Sequence, residues 1–189
     1  MILSQFQTVG RDLFTSGLVS SNTGNLSIKF SGRMIITRRG SRLNALQEHD
    51  LIETGIIKNN RATPLASTDL AIHRAIYRET QAVAIVHAHA PYATALSLIE
   101  KEIGPGKTDG SSEIGTVPVL GWYTEGKPGI LADSIAQTLK QHRIIMVHGH
   151  GSFAIGQLLE EAYNITTMLE ESCKILCLLK TLQVSSIKS

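Results

Sequence analysis

Two short apolar runs stand only three residues apart. Leu26, Ile28 and Phe30 alternate with Ser27 and Lys29, and MIIT follows at 34–37 after SGR at 31–33. Period-two alternation is the pattern of a half-buried strand. A three-residue connection cannot make the crossover that parallel neighbours need, so the two strands must run antiparallel. Any sheet this chain builds is therefore not purely parallel.

Around that hairpin, helical and strand patterns alternate. Helices are expected over residues 3–19, from Ser67 through Tyr77, and over 91–98, 130–141 and 158–182. Ser67, Thr68 and Asp69 supply capping oxygens for the second. Short apolar strands are expected at 82–86, 117–120 and 144–147, and residues 47–58 fit a short strand at 51–54 and 56–57. Residues 100–116, rich in glycine, serine and charge, read as a surface loop. The alternation predicts α/β layers, with helices packed over a central mixed sheet. No linker or internal repeat interrupts residues 1–189, so a single domain is expected.

Composition excludes several classes. The 189 residues suffice for one full hydrophobic core but fall short of a TIM barrel, which needs about 250. Eighteen basic against sixteen acidic side chains give a net charge of +2, which leaves no footprint for nucleic acid. The N-terminus lacks a signal-peptide pattern, and residues 82–99, the longest apolar stretch, are interrupted by His87, His89 and Pro91. A cytoplasmic protein with no membrane partner is expected. Cys173 and Cys177, four residues apart in a helical segment, read as small buried thiols.

The histidines carry the chemistry. Four of the seven sit at strand ends: His87 and His89 in VHAHA, His148 and His150 in HGHG. Residues i and i+2 of a strand share a face, so His87 and His89 can present imidazoles to one ion. A third ligand from the second cluster would complete a three-ligand site with room for substrate. Spacing alone does not say whether His148 or His150 supplies it. His73, one turn after Asp69, is expected to pack in the core. Glycine turns at Thr23-Gly24-Asn25 and Arg39-Gly40-Ser41 are potential anion nests, and Arg38 and Arg39 add positive charge.

GNLS at 24–27, ITRRG at 36–40, PLASTD at 64–69, VHAHA at 86–90 and HGHG at 148–151 occur in the order seen in the class II aldolase/adducin family. The chain resembles that family from about residue 5 to 180. The resemblance implies a three-layer α/β/α sandwich with a mostly antiparallel sheet, usually in a homotetramer with sites between subunits. It implies that His87, His89 and His150 bind Zn2+ or another divalent transition metal. It gives Asp69 two roles, acid/base catalyst and occasional metal ligand. Gly24, Asn25, Arg39, Gly40, Ser67 and Thr68 match the substrate-binding phosphate pocket.

The implied function is a class II aldolase that cleaves a small phosphorylated sugar through a metal-stabilised enediolate. Epimerisation or dehydration on the same fold, and a non-catalytic adducin-like binding role, are the alternatives. Three features depart from the family pattern. Aspartate at 69 replaces the glutamate of the aldolases and matches the epimerases. Arg39 replaces a small hydroxyl residue. The C-terminal tail lacks a tyrosine, Tyr163 being the last. The extra aspartate of the epimerases would fall near Ser111, beside Asp109. Trp122 and Tyr123 offer aromatic surface.

Overall fold

The structure is a computed structural model that describes residues 2–104, 114–121 and 128–187. Five α-helices are present among those residues: α1 (Ile2–Thr15), α2 (Leu70–Glu79), α3 (Pro91–Ser97), α4 (Pro128–Thr138) and α5 (Leu159–Ile187). The strands are β1 (Asn25–Phe30), β2 (Arg33–Thr37), β3 (Leu51–Gly55), β4 (Ala84–Ala88), β5 (Glu102–Ile103), β6 (Val117–Leu120), β7 (Ile144–Val147) and β8 (Gly151–Gly156). They form one eight-stranded mixed sheet in the order β3-β2-β1-β4-β8-β7-β6-β5. Among the described residues only the β6–β7 pair is parallel, and the other pairings are antiparallel. The α/β architecture and the mixed sheet expected from the hairpin are both present.

Period-two alternation divides the buried residues between the two faces of the sheet. Val86, Met146 and Ala154 point to a core that includes Phe6, Leu13 and Leu169, under α1 and α5. Ile85, Ile145 and Phe153 point to a second core with Ile76 and Ile135, under α2 and α4. No helix among the described residues is long and apolar enough to cross a membrane.

Several expectations are corrected. β8, which no sequence pattern announces, lies in the middle of the sheet between β4 and β7. The expected loop at 100–116 contains β5, and Ile103 and Ile114 are buried. A strand at 56–57 does not form, because β3 ends at Gly55 and Ile57 is exposed. Asp69 occupies the N-cap position of α2 but makes no capping bond. Of the two thiols, Cys173 is buried and Cys177 only half-buried. Ser111, Asp109, Trp122 and Tyr123 lie outside the described residues.

α1 packs flat against the turn at Leu43–Ala45 because Gly10 presents no side chain there. A Cβ at Gly10 would overlap the Leu43 carbonyl oxygen. On the opposite face, fully buried His73 lies 2.7 Å from Ser27 Oγ through its Nδ1, and Ser27 Oγ lies 2.7 Å from Tyr77 OH. Burial pushes the His73 pKa from 6.5 down to about 4, against an opposing pull from Asp69.

Both contacts have consequences for stability. Alanine favours a helix over glycine by about 1 kcal/mol, yet Gly10→Ala should destabilise the fold by about 1–3 kcal/mol in urea denaturation, because backbone must shift. A histidine buried neutral resists protonation that the unfolded chain accepts. Its contribution is complete above about pH 6.5 and declines as pH falls toward about 4, a loss of up to about 3 kcal/mol. Thermal melts of the wild type should fall across that window, and His73→Gln should flatten the dependence; parallel curves would exclude His73 as a cause.

Candidate metal and anion site

His87 is the best-anchored ring in the site. It lies in β4, opposite Asn25 of β1 and Phe153 of β8, and is 1% exposed. The Phe153 ring stacks on it at 4.2 Å and 15°. Its Nδ1 is 2.8 Å from the Ser152 carbonyl oxygen. A carbonyl only accepts, so Nδ1 carries the proton and donates, which leaves the Nε2 lone pair free for an electrophile. Burial, partly offset by Asp69, pushes the His87 pKa down to about 3, so the ring is neutral at physiological pH.

His89 follows the end of β4, its backbone N–H held by the Leu18 carbonyl at 2.9 Å. Its Nε2 is 3.0 Å from His87 Nε2. Burial lowers its pKa as well. His150 comes from the turn between β7 and β8. There Gly149 adopts φ 62° and donates its N–H to Ser97 Oγ at 3.0 Å. The His150 ring centroid lies 5.1 Å from His87 and 4.6 Å from His89. Gly151 permits this approach, since a Cβ there would overlap the Ala88 carbonyl oxygen and come within 3.2 Å of His87 Cε1.

One donor atom from each of His87, His89 and His150 lies within 4.8 Å of the other two. His150, not His148, joins the pair from β4. Neighbouring ligands on a tetrahedral ion with bonds of 2.0–2.1 Å lie about 3.3 Å apart. Two imidazole nitrogens at 3.0 Å, one of them held unprotonated, suit such an ion. The donor set therefore fits a divalent metal, and its type leaves the choice of metal open.

Asp69 stands beside this triad. Its Oδ2 is 3.6 Å from His87 Nε2 and accepts a hydrogen bond from Asn25 Nδ2 at 2.7 Å. Burial pushes its carboxyl pKa up. His87, the Asn25 hydrogen bond and the more distant His73 and His150 outweigh that and hold it below the ordinary value, so the group is an anion at neutral pH.

The triad and Asp69 open into a pocket of about 210 Å3. Gly24, Asn25, Arg39, Gly40, Ser67 and Thr68 line it as well, so all ten expected residues come together. Thr23, Arg38 and Ser41, noted in the sequence for their glycine turns and charge, also line it, as does Asn22, a turn neighbour that carries no signal of its own. Gly24 has φ 80°, and a Cβ there would meet Val19 Cγ1 at 2.5 Å and the His87 carbonyl oxygen at 2.8 Å. Only glycine brings the β1 entry this close to β4.

The turn at Arg38–Ser41 closes through Ser41 N–H and Ser41 Oγ on the Arg38 carbonyl, at 3.2 and 2.8 Å. It is stitched to the next wall by Arg39 N–H on the Leu65 carbonyl at 3.0 Å and Ser67 N–H on the Thr37 carbonyl at 3.1 Å. The Arg38 and Arg39 side chains are exposed and make no hydrogen bond or ion pair among the described residues. Larger cavities of about 430 Å3 beside Glu79 and Lys140, and about 590 Å3 beside Tyr92 and Tyr163, contain no such triad among the described residues.

Known proteins share both sequence and fold. An L-fuculose phosphate aldolase of Methanocaldococcus jannaschii is 30% identical over 173 residues, spanning 90% of this chain and 93% of that protein. A 3-oxo-tetronate 4-phosphate decarboxylase of Pectobacterium atrosepticum is 28% identical over 178 residues, spanning 90% and 81%. The crystal structure of L-fuculose-1-phosphate aldolase from Thermus thermophilus superposes with a TM-score of 0.88 at 36% identity, covering 95% of each chain. The model of the Class II Aldolase and Adducin N-terminal domain matches residues 4–177, which contain every residue of the triad and pocket. By that match, this chain is a member of the class II aldolase and adducin family.

Proposed function

We propose that this chain is a divalent-metal-dependent aldehyde-lyase, a class II aldolase that cleaves a small phosphorylated sugar by retro-aldol chemistry. One observation carries the reading: three imidazoles, an ionised carboxylate and a cationic turn unpaired among the described residues share a single pocket of about 210 Å3. His87, His89 and His150 would hold the metal, with Zn2+ first among the candidates for an all-imidazole set. A bound divalent cation supplies Lewis-acid polarisation of the substrate carbonyl and stabilises the negative charge that develops beside it.

The remaining work falls to the protein. The carbon–carbon bond of an aldol breaks as the neighbouring hydroxyl loses its proton. Asp69 is the anion in the pocket that can take that proton, and its Oδ1 is the oxygen left free by Asn25. The same carboxyl returns a proton to the carbon fragment. The phosphate is held by the Arg39 guanidinium, by the backbone N–H of Gly40 and by the Ser67 and Thr68 hydroxyls. The two relatives are named for phosphorylated compounds and for reactions that break a carbon–carbon bond, which supports this class of reaction. The reading includes a single domain working in the cytoplasm as a homotetramer.

Two measurements test it. Incubation with a panel of phosphorylated sugars should release two carbonyl fragments. Turnover should vanish when a chelator strips the metal and return when Zn2+ is restored. Release of carbon dioxide would instead make the chain a decarboxylase. An epimer with an intact carbon skeleton, or loss of water, would make it an epimerase or a dehydratase. Full activity without metal would overturn the mechanism, and no turnover at all would favour the adducin-like binding role. Asp69→Asn, assayed on the same substrate, should lower kcat by about 10²–10⁴-fold with KM little changed.

A further inference from the structure

The three imidazoles of the triad are not anchored alike. His87 is fixed within the sheet by the Ser152 carbonyl and the Phe153 ring. His89 and His150 lie beyond the strand ends, and both are tied to α3. His89, besides its N–H bond to Leu18, runs straight into that helix, which begins at Pro91. At the other end of α3 lies Ser97. Its fully buried Oγ donates to the Thr94 carbonyl at 2.7 Å and accepts the Gly149 N–H at 3.0 Å. Gly149 directly precedes His150, and its φ of 62° turns the chain that carries that ring. A helix of seven residues, about 10 Å long, thus joins the two outer ligand segments.

α3 has no cap of its own. The first N–H groups of a helix find no partner within it. Here the N-cap residue is Ala90, which carries no side-chain oxygen, and Pro91 carries no N–H. Thr94 N–H already bonds the Ala90 carbonyl at 2.9 Å, so Tyr92 and Ala93 hold the two donors left over. One carboxylate from α5 takes both. Glu170 Oε1 accepts from Tyr92 N–H and Glu170 Oε2 from Ala93 N–H, each at 2.9 Å. Glu170 is half-buried, and burial pushes its carboxyl pKa up against the pull of those two N–H groups and Lys174. Ionisation there costs the fold something, and what the charge gains in place is its grip on α3.

We propose that Glu170 is a positioning residue for the metal site: its carboxylate holds the start of α3, and α3 in turn sets the spacing of the His89 and His150 rings. The consequence for metal binding rests on the proposed metal-dependent reading, whereas the ring positions are observable in the metal-free protein.

The test compares wild type with Glu170→Gln, Glu170→Ala and Ser97→Ala, each held below its thermal melt, with Glu161→Gln as control. Glu161 lies on the same helix, but its ion pair with Arg143 and its bond from Gln157 N–H sit at the far end of β8 from Gly151. In the metal-free protein, the ring NMR signals of His89 and His150 should both shift in the Glu170 variants. His150 alone should shift in Ser97→Ala, and neither ring in Glu161→Gln. Zn2+ affinity, measured by chelator competition, should fall by about tenfold in Glu170→Gln, which keeps one accepting oxygen, and by about 100-fold in Glu170→Ala. The visible absorption of the Co2+-loaded protein should change in the same order. A lowered melt in the Glu170 variants, with ring signals, Zn2+ affinity and Co2+ absorption all unchanged, would reduce Glu170 to a fold contact and overturn the proposal. A wild type that binds no Zn2+, or binds it and turns over no sugar phosphate, would defeat the metal-dependent reading, and the ring signals would still decide the role of Glu170.

Discussion

The hydrogen bond from His87 Nδ1 to the Ser152 carbonyl is the contact on which the site depends. It joins a ring from β4 to the backbone of β8, and it exists because those strands pair with His87 opposite Phe153. A free neutral imidazole exchanges between two tautomers. The carbonyl selects one, so the buried Nε2 points into the pocket as a lone pair. The Phe153 ring, nearly parallel to it at 4.2 Å, restricts the remaining freedom of tilt. A one-residue slip between β4 and β8 would turn His87 to the other face of the sheet, toward Met146 and Ala154. The β4–β8 register is therefore both a folding constraint and a chemical one.

Glycine makes that register compatible with a crowded site. Gly151 lets β8 begin directly beside the Ala88 carbonyl, and Gly24 lets β1 begin directly beside the His87 carbonyl. Strands that carry functional side chains thus approach β4 from both sides at the same level. The pocket floor is built from strand ends, and its walls from the turn at Arg38–Ser41 and the entry to α2. Backbone hydrogen bonds between residues 37–39 and 65–67 fix those walls relative to one another. A phosphate-sized anion would meet donors already in place, with little loop ordering left to do.

The hairpin, the helices and the three candidate ligand positions were legible in the sequence because each has a strong local signature. β8 was not. Gly151, Ser152 and Gly156 are poor strand formers, and only Phe153-Ala154-Ile155 stand out between them. Its strand character comes from having β4 and β7 on either side, which no local pattern records. Spacing alone left His148 and His150 open for a related reason, and only the family resemblance singled out His150. The turn at Gly149 rotates the chain out of strand geometry, so i, i+2 reasoning fails there. Asp69 looked like a helix cap because capping is the usual use of aspartate before a helix. The competing partner, Asn25, lies 44 residues away in sequence.

Charge ties the walls to the floor. Two guanidiniums against one carboxylate leave the protein side of the pocket at a formal +1 when the histidines are neutral. Such a pocket already favours an anion over a neutral sugar. A divalent cation on the triad would raise the formal charge to +3, and a phosphate dianion would return it to +1. The triad and the arginine-bearing turn are therefore coupled through the ligand, although no hydrogen bond joins them among the described residues. In the proposed reading a phosphate would offset the excess charge while the reacting end stays beside Asp69. Because Arg38 and Arg39 are solvent-exposed, salt screens their share of this attraction. The buried half, His87 and Asp69, is screened far less. Attraction of an anion to the arginine-bearing turn is accordingly the salt-sensitive part of the site, and the geometry at the His87–Asp69 end is the salt-insensitive part.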